Sequence, residues 1–418
     1  MFVLALKSLR NRKFTTLLTV ATIALSVTLL LGVERIRKEA RASFANTISG
    51  TDLIVGGRTG PVQLLLYSVF RIGYATNNIS WQSYEEIARN PNVKWSIPIS
   101  LGDSHQGYRV MGTSDEYFKY FRFAGGRKLE LAEGSIFKGV YDAVLGADVA
   151  KTLGYRLDDP IIIAHGAGKV SFIKHDDKPF KVVGILKKTG TPVDQTVHAR
   201  LEGIEAIHID WKDGAPPLPG QSISAEGVLK MDLSPKAITA FFLGLKSRIA
   251  AFGVQRYINE YPEEPLLAIL PGVALQELWD LIGIAENALL IVSGAVVAVG
   301  LSGMLIALMT SLNERRREMA ILRSVGARPL HVFSLIVGES GLLTFMGVAI
   351  GIGLLYGLLI IGQSLILTRF GIFIAISPIS LYELLLILII CLAGIVIGLI
   401  PGYRIYRYSL ADGMTIRI

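Results

Sequence analysis

Cysteine is almost missing from this 418-residue sequence: Cys391 is the only one, and it sits inside an apolar run. That excludes an intrachain disulfide, a C-x-x-C zinc or redox motif, and a lipid-attachment cysteine near the start. A domain outside the cytoplasm must then stand on its core alone. Charge is scarce too. Asp, Glu, Lys and Arg make up 18% of the chain and apolar residues 51%. The mean hydropathy of +0.49 excludes a wholly water-soluble chain of two or three domains. The formal net charge is +8. On so apolar a chain that excess points to basic helix ends at a membrane face rather than to nucleic acid.

Catalytic signatures are missing as well. Neither G-x-S-x-G nor H-E-x-x-H occurs, which argues against the hydrolases that use them. G-x-x-x-x-G-K-[ST] is absent, so these residues hold no ATP through a P-loop, and energy for any work must come from a partner. "GIGLLYG" (351–357) reads G-x-G-x-x-x-G, one residue longer than the dinucleotide fingerprint G-x-G-x-x-G, and it lies inside an apolar run and not between a strand and a helix. The histidines are His105, His165, His175, His198, His208 and His331, and no two have i,i+4 spacing. His198 and His208 flank a predicted strand or helix, and two possible ligands ten residues apart are weak evidence for a metal. They read as core or surface histidines, and no metal site is expected. Asp176 and Asp177 read as a solvated turn.

Four runs reach the roughly 20 apolar residues that cross a bilayer: 14–33, 288–312, about 332–361 and 384–402. The first follows Lys7, Arg10, Arg12 and Lys13 but is long for a signal peptide, and "VERIRKEA" offers no A-x-A-like exit. It reads as an uncleaved anchor. Basic residues concentrate before the first run, in 313–331 (Arg315, Arg316, Arg317, Arg323, Arg328) and after the fourth (Arg404, Arg407, Arg417), while 362–380 holds only Arg369. The positive-inside rule then places both termini and 313–331 in the cytoplasm, with the large region between the first two runs outside.

The expected fold is an integral membrane α-helical protein with four transmembrane helices and a large α+β periplasmic domain inserted between helices 1 and 2. Its parts are an amphipathic N-terminal helix (1–13), helix 1 and a stalk (14–50), the external domain (51–271), a stalk and helix 2 (272–312), a cytoplasmic helix (313–331), helices 3 and 4 (332–402), and a tail (403–418). In the external region, strands are predicted at 52–57, 94–102, 108–114, 160–166, 180–186 and 206–211. Helices are predicted after Ser80, an N-cap candidate, and over "GADVAKTLGY" with Gly154 as its stop. Residues 213–222 read as a turn-rich joint, 234–261 as one long amphipathic helix capped at Ser234–Pro235, and "LLAILPG" as a returning strand. From Val273 a helix is predicted to run unbroken into the second span.

Within the spans, "GVAIG" (347–351), "GLLYG" (353–357) and "GIVIG" (394–398) are small-xxx-small patterns. They suit close helix packing, either within the subunit or at a dimer interface. The glycines concerned are Gly347, Gly351, Gly353, Gly357, Gly394 and Gly398. Glu339 is an intramembrane carboxylate, read as pairing near the cytoplasmic face with the 313–331 arginines in preference to a proton relay.

The segment "NERRREMAILRSVGARP" (313–329) is charged and helix-prone, with Gly326 and Pro329 as its end. A headgroup anchor explains its arginines. Glu314 and Glu318, beside an apolar stripe of Met319, Leu322 and Val325, better suit a helix that docks into a groove on a soluble protein. These residues resemble the signature of FtsX-like permeases, the group that includes the MacB exporter and the LolC/LolE permeases. The match falls on Arg315, Glu318, Met319, Ala320, Ile321, Leu322, Arg323, Ser324, Val325, Gly326 and Ala327. The start, "ALKSLRNRKFTTLLTVATIALSV", and the end, with Pro401, Arg404 and Arg407 in place, are similar as well. Leu410 and Gly413 depart from the family's proline and alanine. The 50–275 region resembles the MacB-type periplasmic domain in plan, including "VLGADVAKTLG" and "FKVVGIL".

That resemblance implies a dimeric ABC transporter permease, taken as a homodimer, in the bacterial inner membrane. It is no enzyme itself and binds no cofactor directly, with ATP and Mg held by a separate cytoplasmic ATPase dimer. Glu314, Arg315, Glu318, Met319, Ile321, Leu322, Arg323, Val325 and Gly326 would be the ATPase-coupling residues. Closure of the helices would pass to the periplasmic heads, a mechanotransmission that moves a lipoprotein, peptide, lipid or drug, or drives a periplasmic partner. The alternative is an envelope sensor or scaffold that activates a cell-wall hydrolase without transport.

Overall fold

A computed structural model describes residues 12–166, 175–211, 223–370 and 377–407, without the side chains of Ser43, Asn46, 313–320 and 364–370. The chain divides into two compact units, one of Met1–Ala40 with Ile282–Arg369 and Phe373–Ile418, the other essentially Arg41–Leu281.

Four long helices carry the apolar runs: α1 (Lys13–Thr47), α2 (Pro271–Ser324), α3 (Pro329–Phe370) and α4 (Leu381–Tyr406). Each is long and apolar enough to cross a membrane, over Lys13–Ala42, Pro271–Leu312, Pro329–Gln363 and Leu381–Tyr406. An apolar medium leaves backbone groups no partner but the helix itself, which is why such runs are helical throughout. The segment 313–324 continues α2 and is not a separate element, and α3 extends through the predicted connection as far as Phe370.

Small residues set the helix approaches. A Cβ on Gly347 would lie 2.6 Å from Ile23, and one on Gly351 would lie 2.8 Å from the Ala24 carbonyl, so α3 packs on α1 there. Gly394 and Gly398 of α4 press against Thr344 and Ser340 of α3. A Cβ on Gly353 or Gly357 would meet nothing within 4 Å among the described residues. Thr28 Oγ1 donates to the Gly351 carbonyl at 3.0 Å, and Ser26 Oγ to that of Val296 at 3.2 Å. Such bonds keep hydroxyls satisfied where water is excluded.

The other unit is built on an 11-stranded mixed sheet. Its main strands are β1 (Leu53–Gly57), β2 (Val93–His105), β3 (Tyr108–Thr113), β4 (Leu131–Gly134), β5 (Asp142–Leu145), β6 (Phe180–Leu186), β7 (Thr196–Arg200), β8 (Ala240–Leu245) and β9 (Leu266–Ile269). Their order is β9-β1-β8-β2-β3-β7-β5-β6-β4. Only β3–β7 and β5–β6 pair in parallel along that path. Alternation sends Ile54 and Phe242 into one core with Leu64, Tyr67 and Met111. Leu53, Val55, Phe241 and Leu243 enter a second core with Ile87 and Ile258. Both sheet faces are therefore covered, and β8 is buried at all six positions.

Ser80 caps the helix Trp81–Ala88, its Oγ accepting from the Ser83 amide, and Gly154 ends Ala147–Leu153 with φ +74°. Two predicted elements are corrected. The long helix of 234–261 is β8, a 3-10 turn (Arg248–Ala250) and a helix over Ala251–Asn259. Asp232 accepts the Ser234 amide in a turn, which removes Ser234 as a helix cap. The strand expected at 206–211 is instead the end of a helix, Leu201–His208. The joint at 213–222, most of the N-terminal helix, and Arg417, Leu410 and Gly413 of the tail lie outside the described residues.

Candidate functional site

The corner between α2 and α3 is where the signature residues lie. Gly326, at φ +102°, takes the left-handed conformation that glycine adopts without Cβ strain. Its amide donates to the Arg323 carbonyl at 3.1 Å, and that of Ala327 to Leu322 at 3.0 Å. This is the paired bonding of a Schellman terminus. Pro329, whose missing N–H costs nothing in a first turn, opens α3. The Arg328 amide donates to His331 Nδ1 at 3.3 Å, closing the other side of the corner.

The corner divides its apolar residues between two faces. Leu322 packs inward with Met309 against Leu312, Val332, Leu335, Ile336 and Ile405. Ile321, Val325 and Leu330 are 58%, 82% and 64% exposed. Leu322 is thus part of the helix bundle, and the solvent-facing apolar set is Ile321, Val325 and Leu330. The side chains of Glu314, Arg315, Glu318 and Met319 lie outside the described ones; their backbone is helical. Arg323 is half-buried, and Glu339 is buried in α3.

At the other end of the same helices sits a cluster that the sequence reading missed. Arg35 of α1 pairs with Glu383 of α4 at 3.2 Å, with both side chains buried. The Arg35 guanidinium also donates to the Tyr356 hydroxyl (3.4 Å) and the Pro378 carbonyl (3.2 Å). Glu383 accepts the Ser380 amide at 2.7 Å, and Ser380 Oγ accepts that of Glu383 at 3.3 Å. The S-x-x-E spacing of Ser380 and Glu383 is a capping box and was the available signal.

In the Arg41–Leu281 unit, the last turns of α1 and the first of α2 meet through aromatic rings. Phe44 lies 5.5 Å from Trp279, edge-on, and 4.4 Å from Phe70. Arg41 stacks over Trp279 at 5.4 Å. Of the histidines, His198 is fully buried beside Tyr117 and Phe118. Burial, reinforced by Arg71, pushes its pKa down to about 3. His165, His175 and His208 converge with Asp103, one potential ligand atom of each lying within 4.8 Å of the others, a grouping that their spacing in the sequence did not reveal. Burial and the neighbouring His208 push His175 down to about 4, while a hydrogen bond to Asp103 raises His165.

Comparison with known proteins finds two matching regions. Residues 16–214 match the family model of the MacB-like periplasmic core domain, and residues 290–410 match that of the FtsX-like permease C-terminal region. The macrolide export ATP-binding/permease protein MacB of Azoarcus sp. (strain BH72) is 23% identical over 377 residues, covering 84% of this chain and 51% of that protein. MacB of Wolinella succinogenes is 21% identical over 361 residues, with the same shares. The chain spans about half the length of these relatives. Among solved structures, the periplasmic region of MacB from Actinobacillus actinomycetemcomitans aligns with a TM-score of 0.34 and 11% identity, over 56% of this chain and 94% of that one. The extracellular domain of the transporter YknZ from Gram-positive bacteria aligns at 0.30 and 11%, over 52% and 99%.

Proposed function

The chain belongs to the FtsX-like, MacB-type family of ABC transporter permeases, and from that membership we propose that it couples ATP hydrolysis on a separate cytoplasmic ATPase to movement of its periplasmic domain. The observation that carries this reading is α2. One unbroken helix of 54 residues runs from Pro271, next to β9, to Ser324 at the signature corner. At 1.5 Å per residue it is about 80 Å long. Along the chain, helical backbone with no intervening loop thus joins the signature corner to the strand that closes the external sheet.

Ile321, Val325 and Leu330 give the corner an apolar set to seat in a groove of the ATPase, with Arg323 and Arg328 beside it. Glu314, Arg315, Glu318 and Met319 lie in the helix just before that set. ATP and Mg would be held by that ATPase. The permease works as a homodimer in the bacterial inner membrane, with both termini and the corner in the cytoplasm. Its cargo is an envelope substrate (lipoprotein, peptide, lipid or drug), or its output is a periplasmic partner driven by the same movement.

Purification of the full chain from its host in mild detergent tests the proposal. A P-loop ATPase recovered in equal amount, with hydrolysis stimulated by the permease, is the expected result. Recovery of an intact permease dimer with no ATPase would favour a passive envelope sensor or scaffold.

A further inference from the structure

We propose that Asp103, His165, His175 and His208 form a binding site for a first-row divalent transition ion of the zinc type. One potential ligand atom from each lies within 4.8 Å of all the others. His165 Nδ1 is 3.0 Å from Asp103 Oδ1 and 3.2 Å from His208 Nε2, and His208 Nε2 is 3.8 Å from Asp103 Oδ1. Ligands of a tetrahedral zinc ion at about 2.0–2.1 Å stand about 3.3 Å apart, so these separations already bracket the required ones.

Hydrogen bonding orients the set. His208 Nδ1 donates to the Ile204 carbonyl at 2.8 Å, which places the proton on Nδ1 and turns the Nε2 lone pair toward His165 and Asp103. His165 Nδ1 carries at most one proton, so it satisfies either Asp103 or His208. His175 is 2% exposed and its Nε2 is buried without a hydrogen-bond partner. A buried ring nitrogen left so has lost its water for nothing. A cation accepts all these lone pairs at once.

The donors name the ion. Three imidazoles and one carboxylate suit zinc and its borderline neighbours, whereas magnesium and calcium require oxygen ligands. Lys178, three residues on from His175, is held by Asp177 (2.7 Å) and Asp210 (3.0 Å), leaving Asp103 as the charge for the ion. The Trp211 ring walls the site, 5.2, 4.9 and 5.4 Å from His165, His175 and His208. The ligands come from β2, the short strand Ala164–His165 paired to it, the segment hydrogen-bonded to Ile163 through the His175 amide, and the end of the helix Leu201–His208. A bound ion would join three stretches distant in sequence, those around Asp103, His165–His175 and His208.

The test uses the full chain in detergent, stripped with a chelator and titrated with Zn2+ and then Co2+. Expected are one ion per chain at about 10 µM free metal, the visible absorption of tetrahedral Co2+, and Co2+ quenching of tryptophan emission that Trp211→Phe diminishes without loss of binding. His175→Asn and the surface-exposed His165→Asn should each weaken binding by at least about 100-fold, and His198→Gln should not. Metal-free thermal midpoints establish that each variant is folded. A wild-type chain that retains no ion, or an affinity unchanged in folded His165→Asn, would overturn the assignment.

Discussion

Arg35 and Glu383, 348 residues apart in sequence, are joined by a buried ion pair at 3.2 Å that ties α1 to the first turn of α4. The carboxylate is held twice, by the guanidinium and by the capping box at Ser380. The guanidinium in turn holds the carbonyl of Pro378 in the segment leading to α4.

Removing one partner leaves the other charge buried and uncompensated. Glu383→Leu should lower stability by about 3–5 kcal/mol, with Arg35→Leu similar and the double variant less damaging than their sum. Thermal unfolding of the four proteins in detergent measures this. Additive losses would show that the pair is not coupled.

The two faces of the signature corner should separate docking from folding. Val325→Asp and Ile321→Asp should abolish ATPase recovery and leave the unfolding free energy within about 0.5 kcal/mol of wild type, as exposed substitutions do. Leu322→Asp, whose side chain enters the bundle, should cost at least about 2 kcal/mol because it buries a carboxylate. Full ATPase stimulation in Val325→Asp would count against the docking assignment.

Glycines on the same helix should differ in kind. Gly351→Val forces a side chain into α1 at Ala24 and Val27, for an expected loss of about 1–3 kcal/mol. A Cβ on Gly353 meets nothing within 4 Å among the described residues, so Gly353→Val should leave stability unchanged. Light scattering then reads the assembly: a Gly353→Val dimer that dissociates places this face between subunits, and an intact one leaves Gly347, Gly351, Gly394 and Gly398 as packing within the chain.

His198 should make the external domain acid-sensitive. Its native pKa, held near about 3, lies below that of an unfolded histidine near 6.5. The unfolded state therefore takes up the proton first as pH falls. The stability of the neutral ring is fully present above about pH 6.5 and declines toward pH 3, by up to about 1.4 kcal/mol per unit. His198→Gln keeps a donor for the Val144 carbonyl but does not titrate. It should flatten this dependence relative to wild type. All four tryptophans (Trp81, Trp95, Trp211 and Trp279) lie in the Arg41–Leu281 unit, so their emission follows that unit alone. Parallel pH profiles would exclude His198 as the cause.

The spans were legible because hydropathy acts residue by residue, and Ser80 and Gly154 were legible because caps and stops are local. "AFFLGL" was not. A strand buried on both faces loses the alternation that would mark it, and its continuous apolar run merged with the helix that follows. "AIHIDW" shows the reverse error, where alternating letters masked a helix end held by the His208–Ile204 bond. The corner's residues were readable from a contiguous signature, but which of Ile321 and Leu322 faces outward depended on α3 and α4. The His165, His175 and His208 cluster had no local signal at all, because its members meet only when β2 and a distant helix fold together.

β1 and β9, the strands by which the chain enters and leaves the external sheet, are hydrogen-bonded neighbours in register from Ile54↔Ile269 to Gly57↔Leu266. The more than 200 residues between them thus begin and end at one place. Evolution can lengthen, shorten or resurface that excursion without altering the distance between its two ends. The membrane-spanning helices therefore see the same two attachment points whatever the inserted domain contains.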